Sequence, residues 1–224
     1  REQRDDLARL ESLDAGKPIS ETPEADVDSA ADCLEYFAGQ ASSLQGEYQQ
    51  VDGGFFYTRP EPLGVCAGIG AWNYPLQIAA WKSAPALAAG NSVIIKPATD
   101  TPLSALKLTE VLLEAGVPPE AVQCITGSGA EIGDALVGDP RVRKVTFTGS
   151  RDVGEHICKT AGLKKVTMEL GSNSPLIIMS DADIEKVAAA TVASGFANAG
   201  QVCISTQRVL ADRRIYADFL DALA

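Results

Sequence analysis

Three residues of this chain could serve as nucleophile, base and oxyanion donor, and each stands at the end of an element or beside a glycine. Cys203 lies in FANAGQVCISTQRV, after a long apolar helical pattern and among small residues. A thiolate there would attack a carbonyl carbon, and Gly200 lets backbone and ligand approach closely. A buried core cysteine fits the same local pattern. Glu169 closes the strand pattern KKVTMEL, with Gly171 just beyond it. A carboxylate entering a turn is placed to act as a general base, and equally to cap or decorate a surface. Asn73 lies in GAWNYP, directly after a strand pattern. Its side-chain N–H groups can donate to an oxyanion, although asparagine near proline is also common turn chemistry.

A second set of residues suits a nucleotide. Lys96 ends SVIIKP, where an ammonium can reach ribose or phosphate oxygens or stay solvated. FTGSRDVG runs from a strand into a helix, with Gly149, Ser150 and Gly154 in a G-x-x-x-x-G arrangement. Free N–H groups and the helix dipole at such a start favour phosphate. The arrangement is neither G-x-G-x-x-G nor a P-loop, because no Lys-Ser/Thr follows the second glycine. TGSGAEIG supplies another glycine turn before a helix, at Gly127, Gly129 and Gly133. His156 is the only histidine, no G-x-S-x-G accompanies it, and it reads as structural.

The elements that must position these residues alternate. Helical patterns cover residues 1–15 and about 24–44, and 46–62 reads as an extended ribbon or hairpin around Gly53-Gly54. From Gly64 onward, short apolar strands (64–71, 92–96, 121–126, 144–149, 164–170, 175–179 and 207–211) alternate with helices (76–90, 102–116, 130–138, 150–162 and 181–200). Such alternation implies βαβ units, and ligands of such sheets bind at the carboxyl ends of the strands.

Composition excludes several classes. The chain has 224 residues, 46% hydrophobic and 22% charged, which is ordinary for a globular protein. A net charge of −11 argues against nucleic acid as a partner. Five scattered cysteines without a C-x-x-C pair form neither a disulfide framework nor a zinc site, and fit a reducing compartment. No apolar run is long enough to span a bilayer and no signal peptide opens the chain, so a cytoplasmic location is expected.

Taken together and in order, AWNYP, IIKPA, FTGS, MELGSNSP and GQVC resemble the aldehyde dehydrogenase superfamily over essentially the whole chain. The resemblance implies a Rossmann-like parallel sheet with flanking helices, followed by the start of a second α/β catalytic domain. It divides the chain into a dinucleotide-binding domain (1–43 and 63–171), an oligomerisation ribbon (44–62) and the beginning of a catalytic domain (172–224). It makes Cys203 the nucleophile, Asn73 an oxyanion donor and Glu169 the base that activates water for thioester hydrolysis. It implies NAD or NADP as cofactor, held by Ile69, Gly70, Ala71, Trp72, Lys96, Thr99, Gly129, Gly133, Thr148, Gly149, Ser150, Gly154 and Leu170. It further implies a small aldehyde substrate and a homodimer or homotetramer.

The sequence departs from the family pattern in three ways. Thr99 stands where many members have glutamate, which removes a charge that would repel a 2′-phosphate and makes NADP compatible. The common ELGGK is ELGSN, at Ser172 and Asn173. The family's E-x-F-G-P segment is absent, so the chain is expected to be the N-terminal and central part of a longer protein. Two alternatives compete with aldehyde oxidation: a non-catalytic nucleotide-binding fragment, and a CoA-acylating dehydrogenase, which Glu169 disfavours. Residues 68–91 are similar to the aminoaldehyde and betaine-aldehyde branch, whereas GQVCISTQRV is similar to the lactaldehyde and glyceraldehyde-phosphate branch, with the first slightly favoured.

Overall fold

The structure, a computed structural model, describes residues 1–224. It divides into two compact units, Arg1–Glu169 and Leu170–Ala224. The division implied by the family resemblance falls after residue 171.

The first unit is built on a five-stranded sheet. Its strands are β3 (Val65–Ile69), β4 (Ser92–Lys96), β5 (Val122–Cys124), β6 (Val142–Gly149) and β7 (Lys165–Leu170), in the order β5-β4-β3-β6-β7. β3 pairs in parallel with β4 on one side and with β6 on the other, and β4 pairs in parallel with β5. Parallel neighbours need crossovers, and α3 (Pro75–Ala88), α4 (Leu103–Glu114), α5 (Asp134–Gly138) and α6 (Arg151–Ala161) supply them. This is the Rossmann-like α/β class expected from the alternating pattern. β3 and β6 are neighbours, but the chain leaves β3 toward β4 and leaves β6 toward β7, so the two connections part in opposite directions and leave a crevice beyond the carboxyl ends of these strands.

Two further helices, α1 (Arg4–Ala15) and α2 (Ser29–Gln40), pack with α3 and α4. Leu7, Ala8 and Ala30 from these helices, with Val27 from the turns that lead into α2, join Leu76, Ala79, Ala80, Val93, Ile95 and Leu108 in one core. α1 stops at Gly16, which takes φ +73° and returns its N–H to Ser12 O. The helix expected over about 24–44 is a composite: wide turns at Pro23–Asp28 lead into α2, and a tight turn at Ala41–Ser43 ends it. The ribbon is a two-stranded antiparallel hairpin, β1 (Tyr48–Val51) and β2 (Gly54–Tyr57), with Gly53 at φ +77° in its turn.

The second unit pairs β8 (Pro175–Ile178) in parallel with β9 (Arg208–Ala211). α7 (Ile184–Phe196) connects them, and α8 (Tyr216–Leu223) packs beside it. Ile178, Ala188, Ile215 and Phe219 form its core. Asp183 caps α7 by accepting from Lys186 N–H at 3.3 Å. The pattern that reads as helix to Gly200 is interrupted: α7 ends at Phe196, and Asn198 and Ala199 turn left-handed (φ +47° and +57°).

A charged cluster lies inside the first unit's core. Lys17 Nζ is 2.5 Å from Asp26 Oδ1 and 3.8 Å from Glu11 Oε1, and all three side chains are 0–1% exposed. Burial first, and then the Asp26 carboxylate, push the Glu11 carboxyl up to about 8, with Ser104 and Lys17 opposing. The folded chain therefore holds a proton that the unfolded chain releases near 4.5. This contribution to stability is complete below pH 4.5 and is lost as pH rises through 8. Glu11→Gln removes the titration while keeping the shape. Thermal unfolding should show the wild-type midpoint falling between pH 5 and pH 8.5 relative to that of Glu11→Gln, by several degrees.

Candidate functional site

The crevice beyond the strand ends is a cavity of about 610 Å³. Ile69 and Gly70 at the end of β3 and Lys96, Ala98 and Thr99 after β4 form one part of its wall. Gly129, Gly133 and Asp134 contribute from the glycine turn. Phe147 on β6 and Asp152, Val153, His156 and Ile157 on α6 complete it. Six of the expected cofactor residues therefore line one cavity: Ile69, Gly70, Lys96, Thr99, Gly129 and Gly133.

Their positions follow from local physics. Gly70 N–H donates to Lys96 O at 2.8 Å, extending the β3–β4 ladder one residue past the strands. Lys96 is 2% exposed, and its ammonium donates to Pro97 O at 3.0 Å. Burial lowers this ammonium from its ordinary value. Thr99 is exposed and donates through Oγ1 to Gly127 O at 3.3 Å. Gly127 holds φ +141°, and a Cβ there would lie 2.6 Å from Ile132 Cγ1, so the turn requires glycine. Ser128 opens the following turn by accepting from Glu131 N–H at 3.2 Å.

Thr148 and Gly149 end β6, and Ser150 caps α6 by accepting from Val153 N–H at 3.4 Å. Gly154 is buried one turn into α6. A Cβ at Gly149 would collide with the Phe147 ring on the cavity wall. Ala71 and Trp72 lie in the loop after β3, where Trp72 is exposed and Asn73 is half-buried. Leu170 ends β7 and opens the second unit. Glu169 is exposed on β7.

Two wall or core residues escaped the sequence reading. His156 lines the cavity, and its Nε2 lies 2.8 Å from Asp134 Oδ1. It lies in the middle of α6, well past the end of β6 at Gly149, and only the packing of α6 brings it to the wall. Lys82 sits inside α3, 4% exposed, with Nζ donating to Thr146 Oγ1 at 3.3 Å. Burial holds its ammonium down to about 8, against an upward pull from the Glu169 charge. A Cβ at Gly68 would stand 3.0 Å from Lys82 Cβ, so that glycine lets α3 seat on β3. A lone lysine in the otherwise apolar QIAAWKSAPALAAG was the available signal.

In the second unit, Cys203 is exposed on the loop between α7 and β9. Asn198, Ala199 and Gly200 form three consecutive left-handed residues just before it. Ala199 gains nothing from that conformation, so the loop carries strain that its anchors must hold. Ser205 Oγ donates to Gly195 O at 3.0 Å, and Ser194 and Thr206 hydroxyls meet at 2.7 Å. Ser172 Oγ donates to Cys203 O at 2.8 Å. The serine of ELGSN is thus a direct tether of the cysteine's own peptide.

The aldehyde dehydrogenase family model matches residues 1–224, and the chain belongs to that family. Among solved structures, PnpE from Pseudomonas sp. WBC-3 is 39% identical with a TM-score of 0.96, covering 99% of this chain and 46% of that one. An NADP-dependent enzyme of E. coli is 38% identical with a TM-score of 0.96, covering 99% of this chain and 47% of that one. Betaine aldehyde dehydrogenase from Staphylococcus aureus, in complex with NAD+, is 39% identical with a TM-score of 0.92, covering 99% and 45%. The chain therefore spans about half the length of these relatives. No helix is long and apolar enough to cross a membrane.

The cysteines divide by environment. Cys66 is buried, and burial pushes its thiol up; Cys124 is pushed up to about 11 by the same cause. Cys158 and Cys203 are exposed. A disulfide reagent should modify Cys203 and Cys158 in the native chain and reach Cys66 and Cys124 only on unfolding. Peptide mapping after a short pulse reads this directly, and fast labelling of Cys124 would contradict it.

Proposed function

We propose that this chain supplies the cofactor-binding and nucleophile-bearing part of an enzyme that oxidises an aldehyde to a carboxylic acid with NAD or NADP. The observation that carries the reading is the cavity at the β3/β6 switch point, which gathers six of the expected cofactor residues. Its residues fit an adenine dinucleotide. Ile69, Phe147, Val153 and Ile157 offer apolar surface to a base. The Lys96 ammonium suits ribose hydroxyls, and the α6 N-terminus at Ser150 suits a diphosphate. Gly129 and Gly133 present backbone with no atom near the place of a Cβ.

The residues then take these roles. The Cys203 thiolate adds to the aldehyde carbon, giving a tetrahedral alkoxide bonded to sulfur. The Asn73 amide and the Cys203 backbone N–H donate hydrogen bonds to that oxygen. A dinucleotide held by Lys96, the Gly129–Gly133 turn and the α6 N-terminus would supply the hydride acceptor for this oxidation, and the carbon that has given up hydride stays bonded to Cys203 sulfur as a thioester. Glu169 takes a proton from water, whose oxygen attacks the thioester carbon and releases the acid and the thiolate. A carboxylate base suits a chain whose single histidine already pairs with Asp134.

Thr99 bears on the choice of cofactor. It offers a neutral hydroxyl on the cavity wall, compatible with a 2′-phosphate, so NADP is accepted alongside NAD. The exposed aromatic hairpin, with Tyr48, Phe55, Phe56 and Tyr57 all open, is the surface we assign to subunit assembly. The substrate class with the better support is an aminoaldehyde, from the likeness of residues 68–91 to that branch.

Reduced nicotinamide formation with a panel of aldehydes tests the reading. Cys203→Ala should abolish turnover, and Asn73→Ala should lower kcat by on the order of 10²–10³. Thr99→Glu should weaken NADP binding relative to NAD by at least about tenfold. Full turnover by Cys203→Ala would sink the proposal, and saturable cofactor binding without turnover would reduce it to nucleotide binding.

A further inference from the structure

The loop carrying Asn73 is anchored at both ends. Three residues before Asn73, Gly70 N–H donates to Lys96 O at 2.8 Å. Three residues after it, Leu76 N–H donates to Glu11 Oε2 at 3.3 Å. The second anchor is unusual in origin. α3 begins at Pro75 with no side-chain cap from Tyr74, so its first-turn N–H groups lack a local acceptor. A carboxyl from α1, 65 positions upstream, takes that place. Between these anchors, Lys17 Nζ lies 3.3 Å from the centroid of the Tyr74 ring. The same ammonium is held by Asp26 at 2.5 Å.

We infer that Glu11, Lys17 and Asp26 form a buried clamp that holds the loop bearing Asn73, making them positioning residues for the oxyanion donor. The inference rests on the role proposed above for Asn73. Energetics favour a geometric purpose. A fully buried ion pair adds little or nothing over apolar packing of similar volume, because desolvation cancels the attraction. Its return lies in direction: the ammonium must face the Tyr74 ring and the carboxyl must face the Leu76 N–H, which fixes the two residues next to the Asn73 turn. A neutral Glu11, kept so by burial, accepts that hydrogen bond without adding a second negative charge beside Asp26.

The test uses the full chain and the variants Tyr74→Leu, Lys17→Met, Glu11→Leu and Glu11→Gln. Amide hydrogen exchange at Leu76 should rise at least about tenfold in the first three, beyond any change in global unfolding, and stay near wild type in Glu11→Gln, which keeps the acceptor. Tyr74→Leu leaves all three charged side chains in place and serves if Glu11→Leu does not fold. In aldehyde oxidation, Tyr74→Leu and Lys17→Met should lower kcat roughly ten- to a hundredfold with KM for the aldehyde within about twofold. In an Asn73→Ala background the same substitutions should cost nothing further. Unchanged Leu76 exchange, or rate losses that add to that of Asn73→Ala, would overturn the clamp. If the wild-type chain does not turn over, or Asn73→Ala keeps full rate, the reading of Asn73 falls and the exchange result alone decides the clamp.

Discussion

Everything in the first unit depends on β3 pairing in parallel with two different neighbours. β4 on one side and β6 on the other commit the chain to crossovers in opposite directions. α1 to α4 gather as one layer and α5 with α6 as another, and neither layer covers the strand ends where the two directions part. The cavity is the consequence. Residues from β3, β4, β6 and α6, as far apart in sequence as Ile69 and Ile157, share a wall because each lies just past the carboxyl end of its strand or on the helix that follows.

Close approach sets the precision of this arrangement. Gly68 lets α3 settle on β3 with Lys82 pressed against the strand, and Gly149 leaves room for the Phe147 ring. Gly127 holds a conformation that side chains avoid, which turns β5 toward the cavity. A methyl group at Gly68 would press α3 away from β3, whereas at Gly127 or Gly149 it would collide with Ile132 or the Phe147 ring and distort the turn or the wall locally. The glycines that line the cavity itself serve differently: at Gly129 and Gly133 there is open space, suited to a ligand.

The two units concentrate strain and charge at different places. The first hides Glu11, Lys17 and Asp26 in its core beneath the Asn73 loop, an expense that apolar side chains would avoid. The second forces Asn198 and Ala199 into left-handed backbone and tethers the Cys203 carbonyl to Ser172. Costs of this kind persist where the surrounding structure holds a group in one geometry. Both fall beside a residue to which we assign chemistry.

Alternating strand and helix patterns made the Rossmann-like class legible, because period and glycine stops are local properties of the chain. The motifs AWNYP, IIKPA, FTGS, MELGSNSP and GQVC marked the candidate residues for the same reason: each is a short turn whose chemistry lies in adjacent side chains. His156 and Lys82 were not legible, since α6 and α3 acquire a cavity side and a strand side only on packing. Nor was the end of α7, where local helix propensity through Ala199 yields to the tertiary tethers of the Cys203 loop. The clamp was hidden most completely. Glu11, Lys17 and Asp26 read as ordinary charged residues near helix ends, and nothing local says that they will be buried. The sequence alone determined the succession of elements and the turns that carry reactive side chains. Only the tertiary structure decided which distant charges would meet in the core, because burial and its desolvation cost exist only once the layers have closed.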